Sequence, residues 1–175
     1  AVYRCYHNTV LRDTPVFRDY FLMGLGAQGV RHNERDVFNN IFVQSDKIPG
    51  VGFAGITEAG TVREGGNVLW GLVEGPLLKG DPFAKFRAST LFDESRKVYG
   101  PGWTTNDRVA DPKFVSLAAG RHEPCDLRLQ ASSSAIDAGL PISAEWPDPL
   151  RAADSGQPDA GALPLGAEAW GVGVR

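Results

Sequence analysis

Phe38-Asn39-Asn40-Ile41-Phe42-Val43 is the stretch that decides the fold: two turn-prone amides stand directly before an apolar, strand-favouring run. The same plan recurs at Tyr6-His7-Asn8-Thr9-Val10-Leu11 and at Gly65-Gly66-Asn67-Val68-Leu69-Trp70. The aligned residues Asn8, Asn40 and Asn67 are 32 and then 27 positions apart. Repeats of that length mark a chain that stacks one structural unit on the next. Asn tolerates the left-handed backbone of a tight corner and bonds local backbone groups. Stacked corners therefore predict an internal ladder of Asn8, Asn40 and Asn67.

Outward from these corners the pattern stays short and strand-like, as in Val51-Gly52-Phe53-Ala54-Gly55-Ile56. One segment differs. Asp81 suits an N-cap, Pro82 suits the first helical position, and Phe83 with Phe86 repeats at helical spacing before Gly100-Pro101-Gly102 stops the run. One or two short helices are expected there, outside the stack or laid over its end. Residues 140–170 hold Pro141, Pro147, Pro149, Pro158 and Pro164, which suits an irregular wrap with Trp146 and Trp170 as anchors.

Apolar residues make up 42% of the 175 and charged residues 22%, which excludes a disordered composition and fits one packed domain. No apolar run approaches the ~20 residues of a helical membrane span. Lys and Arg number 13 against 12 Asp and Glu in residues 1–110, and 5 against 9 in 111–175, so neither part has the basic footprint of a nucleic-acid binder. Cys5 and Cys125 fit either one disulfide, which an oxidising compartment permits, or two thiols packed as small hydrophobes. Ala1-Val2-Tyr3-Arg4-Cys5-Tyr6 reads as strand interior, with neither an initiator Met nor a signal peptide. A strand layer left open there calls for a neighbour: an N-terminal segment beyond this sequence, a second chain or another protomer.

Asp111-Pro112-Lys113-Phe114-Val115, Asp126-Leu127-Arg128-Leu129, Ser134-Ala135-Ile136-Asp137-Ala138-Gly139 and Asp159-Ala160-Gly161-Ala162 follow one another in the last third. That order resembles the closing coils of extracellular right-handed parallel β-helix proteins, many of them polysaccharide lyases or related carbohydrate enzymes. The family usually has Pro at the position of Ser134 and a bulkier aliphatic at that of Ala160. The resemblance implies an all-β fold: the C-terminal portion of a right-handed parallel β-helix solenoid, with short outer helices and an irregular C-terminal cap. Residues 1–75 and 111–175 would form one domain, interrupted by a loop and short-helix insertion over 76–110. The implied function is extracellular or cell-surface degradation of a polysaccharide by β-elimination or glycoside hydrolysis. A non-catalytic surface or adhesive module is the alternative. Calcium also enters through the resemblance, because some such lyases use it to neutralise a uronate; Asp13, Asp19, Asp36 and Asp46 would be its carboxylates.

An eliminating enzyme needs a cation beside the substrate carboxylate, a base for the α-proton and an acid for the leaving oxygen. Arg4, Tyr6, His7, Arg31, His32 and Arg35 carry suitable side chains, although alternating charges on a strand surface also serve solvation alone. Hydrolysis would instead use paired carboxylates, such as Glu34 with Asp36 or Asp93 with Glu94. Trp103, between Gly102 and Thr104, is the candidate for stacking on a sugar, whereas Trp70 belongs with the core. Gly24-Leu25-Gly26-Ala27-Gln28-Gly29 spells a dinucleotide fingerprint, but no amphipathic helix or βαβ alternation follows it. His122-Glu123-Pro124-Cys125 lacks metal-ligand spacing and reads as a loop.

Overall fold

The computed structural model describes residues 2–12, 34–44, 59–71, 83–117 and 125–168. Three strand–corner–strand units lie side by side. They are β1 (Val2–Tyr6) with β2 (Thr9–Arg12), β3 (Glu34–Phe38) with β4 (Ile41–Gln44), and β5 (Val62–Gly65) with β6 (Val68–Gly71). The first strands pair in parallel in the order β1-β3-β5. The second strands pair in parallel as β2-β4-β6, and β7 (Arg108–Val109) extends them. The register aligns the repeat residue by residue, with Cys5 opposite Val37 and Val37 opposite Glu64.

Each corner spends two residues, and the first is left-handed: His7 at φ 49°, Asn39 at 57° and Gly66 at 69°. The ladder residues Asn8, Asn40 and Asn67 follow the left-handed position rather than occupying it, which corrects the role expected for them in the turn. Glycine is required at Gly66 twice over. Its φ is positive, and a Cβ there would lie 2.5 Å from Asn39 Oδ1.

Side-chain alternation sorts the apolar residues of β4 and β6 into two cores. Val37, Phe42, Val62 and Leu69 join Phe83, Phe86 and Trp103 in one. Ile41, Val43 and Val68 join Phe114, Leu129, Ala135, Ala138 and Ala160 in the other. The β2-β4-β6-β7 sheet is thus covered on both faces, the usual state of a parallel sheet. Trp70 is only partly buried, against the second core.

Two short helices form in the segment where one or two were expected: α1 (Ala84–Arg87) and α2 (Thr90–Val98). Ser89 divides them, because its Oγ accepts the Phe92 N–H at 3.3 Å and starts a second helix. Asp81 and Pro82 lie outside the described residues. Phe83 and Phe86 make this segment part of the first core.

The expectation of an all-β, right-handed parallel β-helix is corrected by these elements. The described residues form two parallel sheets, a small antiparallel sheet of β8 (Phe114–Ser116) with β9 (Asp126–Leu129), and two helices; among them no sheet closes or winds into a solenoid. Residues 111–165 do not supply closing coils. Lys113 takes a left-handed φ of 46°, and its N–H bonds Asp111 Oδ1 at 2.8 Å. The chain then reverses direction, pairing Phe114 with Leu129 across an antiparallel register. From residue 130 to 168 it holds only turns and bends. That run is fixed to the corners: Gly161 N–H donates to Asn39 O at 2.8 Å, and Ala162 N–H to Thr9 Oγ1 at 3.1 Å.

Candidate functional site

The β1-β3-β5 sheet presents a polar row on the face away from the first core. Arg4 is opposite Asp36, and Asp36 is opposite Arg63. Arg63 Nε lies 2.7 Å from Asp36 Oδ1 and Arg4 Nε 3.7 Å from Oδ2. Asp36 is buried beneath two half-exposed guanidinium groups, and its hydrogen bond holds the Arg63 pKa above the ordinary value. One step along β1, Tyr6 packs on Trp146 with centroids 5.2 Å apart, and its hydroxyl donates to Pro147 O at 2.7 Å. Arg4 lies over the same indole at 5.1 Å.

The row ends at the first corner, where His7 enters an open cleft of about 340 Å³. Ile142, Asp148, Arg151, Asp154 and Pro158 are among its other walls. The fully buried Asn39 builds this corner. Its Oδ1 accepts the Leu140 N–H at 2.7 Å, which fixes its Nδ2 as the donor to Leu140 O at 2.8 Å and to His7 Nε2 at 3.0 Å. His7 Nε2 is therefore an acceptor, and the ring proton sits on Nδ1. Burial lowers the His7 pKa, and this outweighs the opposing pull of Asp148 and Asp154. The imidazole is neutral at pH 7.

The carboxylates of the cleft differ. Asp154 is raised in pKa, mainly by burial and further by Asp159, while its Oδ2 accepts the Asp159 N–H at 2.8 Å. Asp148 Oδ2 lies 3.8 Å from Arg151 Nε. Arg151 Nη2 also donates to Ser143 O and Trp146 O, at 3.0 and 2.9 Å. These groups present two carboxylates in unlike environments, a neutral imidazole donor and an anchored cation.

The sequence-derived candidates divide accordingly. Arg4, Tyr6 and His7 share one strand and corner, and only His7 lines the cleft. Arg35 aligns with Tyr3 and Val62 on the opposite face of the sheet, with its guanidinium 5.9 Å from the Tyr3 ring. Arg31 and His32 lie outside the described residues, as do Asp13, Asp19 and Asp46. Glu34 is exposed whereas Asp36 is buried, and Glu94 bonds Lys97 at 2.5 Å on the exposed face of α2. Trp103 is corrected as a sugar platform. It is 0% exposed, stacked on Phe86 at 6.3 Å, with Nε1 donating to Val62 O at 3.0 Å. Cys5 and Cys125 are thiols rather than a disulfide.

Asn8, Asn40 and Asn67 bond one another in that order, at 3.0 Å for each side-chain step. The row then continues to an acid, because Asn67 Nδ2 reaches Asp107 Oδ1 at 3.2 Å. Beside it, Glu64 is completely buried, accepting from Thr104 N–H and, at 3.2 Å, from Asn67 Nδ2. Burial first, and then Asp107, drives the Glu64 pKa well above the ordinary value; burial also raises Asp107. Asp107 Oδ2 has no ordinary donor, so one proton held between the carboxyls completes the pair. Sequence reasoning missed these acids and the Asp148–Asp154 group. The available signal for Glu64 was its place in phase with Val62 on an inward-facing strand.

Among the described residues no three His, Cys, Asp or Glu side chains gather as a metal site, and no helix is long and apolar enough to cross a membrane. No protein-family model, curated protein or solved structure matches this chain.

Proposed function

We propose that this chain is carbohydrate-active and that the His7 cleft receives part of a polysaccharide, which is cleaved by hydrolysis. The observation that carries the reading is the pairing of a raised-pKa carboxyl, Asp154, with the ion-paired carboxylate Asp148 in one open cleft. Glycoside hydrolysis uses two carboxyl groups kept in different protonation states. Asp154 is the proton donor to the leaving oxygen, and Asp148 serves as base or nucleophile. His7 Nδ1–H and Arg151 orient sugar hydroxyls. Hydrolysis is favoured over elimination because the His7 Nε2 lone pair is already occupied by Asn39, so that this imidazole does not serve as the base. A polysaccharide substrate places this activity outside the cell or on its surface. Calcium has no step in this reading: of the carboxylates the resemblance offered for it, Asp36 is engaged by Arg4 and Arg63, and among the described residues no three ligand side chains gather.

The non-catalytic alternative also has an observation behind it. Arg151, His7 and Asp154 each hold bonds within the corner, as they would in a scaffold that only binds. The two readings part in an assay of the protein on neutral and acidic polysaccharides. Hydrolysis predicts new reducing ends without ultraviolet-absorbing unsaturated products, and Asp154→Asn should lower the rate by about 100-fold or more. Unsaturated products would replace hydrolysis by elimination. Binding without any cleavage would leave the adhesive module.

A further inference from the structure

The ladder is directional. Asn8 N–H and Nδ2 donate to Asn40 Oδ1 at 3.1 and 3.0 Å, and the same two groups of Asn40 donate to Asn67 Oδ1, both at 3.0 Å. Those of Asn67 reach Asp107 Oδ1 at 2.8 and 3.2 Å. Backbone bonds return the other way: Ile41 N–H to Asn8 O, Val68 N–H to Asn40 O and Arg108 N–H to Asn67 O, at 2.8, 2.8 and 2.9 Å. A carboxylate accepts but has no amide to pass on, so Asp107 closes its end. At the other end Asn8 is exposed, and among the described residues no donor reaches its Oδ1. Among the described residues β1 and β2 are edge strands there, with Val2, Tyr3 and Leu11 50%, 55% and 41% exposed.

Charge repeats with the same regularity. Four positions before each ladder Asn stand Arg4, Asp36 and Arg63, alternating in sign across the sheet. Arg4 is half exposed, with its guanidinium only 3.7 Å from Asp36.

We propose that the β1–corner–β2 edge is a docking surface for one strand–corner–strand segment of a partner polypeptide, lying parallel to it. The corner residue of that segment is Asn, whose N–H and Nδ2 donate to Asn8 Oδ1 and whose carbonyl receives the Thr9 N–H. Four positions earlier it carries an acidic residue against Arg4. A second copy of this chain does not fit. Its Asp107 end has no amide to offer, and two Asn8 ends brought together would oppose acceptor to acceptor. The inference is independent of the carbohydrate reading, since it uses neither the cleft nor its acids.

Residues 34–44 have this chemistry themselves, with Asn40 at the corner and Asp36 four positions before it. The probe is therefore a synthetic peptide of that sequence, titrated into the isotope-labelled protein while backbone amide signals are followed. The peptide should shift the signals of residues 2–12. Peptides carrying Asn40→Asp or Asp36→Lys should each bind at least tenfold more weakly. Unchanged signals with the unsubstituted peptide, or equal binding by all three, would overturn the proposal. So would a concentration-dependent dimer whose formation moves the same signals, because that assigns the edge to a second copy.

Discussion

At the scale of single residues, Glu64 and Asp107 set how stability responds to pH. Both folded-state pKa values are raised, chiefly by burial, so folding favours the protonated pair. The contribution to stability is complete below the ordinary carboxyl range, near pH 4. It is lost as pH rises towards the raised folded values. Glu64→Gln keeps an acceptor for the Thr104 N–H, offers an amide to Asp107 Oδ2 and cannot ionise. We expect its melting temperature relative to the parent to rise between pH 4 and pH 8 by several degrees, the size of a ~1 kcal/mol change in a domain of this length. A parallel pair of melting curves across that range would contradict the shared proton. Asn39 is the second residue that matters at this scale. It was read as part of a turn, yet its one amide fixes the His7 tautomer and ties Leu140 to the corner. Its neighbour Asn40 carried the repeat, so nothing in the spacing separated the two roles.

At the scale of elements, the corner repeat was legible because it depends on local chemistry. A two-residue turn followed by apolar β-formers leaves its mark within six residues, and Asn8, Asn40 and Asn67 do stand in register. The fourth rung was hidden because Asp107 is not Asn, and β7 after it has only two residues. The break between α1 and α2 was hidden because Phe83 and Phe86 kept helical spacing up to the cap at Ser89. The ladder itself yields a ranking. Asn40→Ala takes a donor from the buried Asn67 Oδ1, and it removes the partners of the part-buried Cys5 carbonyl and Asn8 N–H. Unsatisfied buried groups cost ~1–3 kcal/mol each, so the substitution should lower stability by at least ~2 kcal/mol. Asn8→Ala, at the exposed end, should cost under ~1 kcal/mol because water replaces its bonds. Equal denaturation midpoints for the two variants would remove the ladder as a source of stability.

At the scale of the whole molecule, the C-terminal run makes the site. Residues 130–168 have no regular structure, but Gly139 and Pro158, Gly161 and Asn39, and Ala162 and Thr9 are joined by hydrogen bonds. Gly161 is held closely enough that a Cβ would lie 2.6 Å from Ile41 Cδ1. This wrap was expected from its prolines. Its course was not legible, since the bonds that tie it to the corners, from Gly161 to Asn39 and from Ala162 to Thr9, run to residues more than a hundred positions away. Nothing in the sequence consequently marked Asp148 and Asp154 as neighbours of His7. The resemblance of residues 111–165 to closing coils failed for a related reason: short motifs describe turns well, but the direction of the strands between them depends on tertiary pairing. What the wrap produces is a cleft that joins the first corner to two unlike carboxyl groups, and the functional account stands on that junction. Titration of isotope-labelled protein with a panel of oligosaccharides, followed at the His7 ring and the side chains of the cleft, tests it most directly. The account predicts that at least one oligosaccharide shifts His7, Asp148, Arg151 and Asp154 together, with His7 remaining neutral at pH 7. Saturable binding elsewhere, or an unresponsive cleft across neutral and acidic sugars, would contradict it.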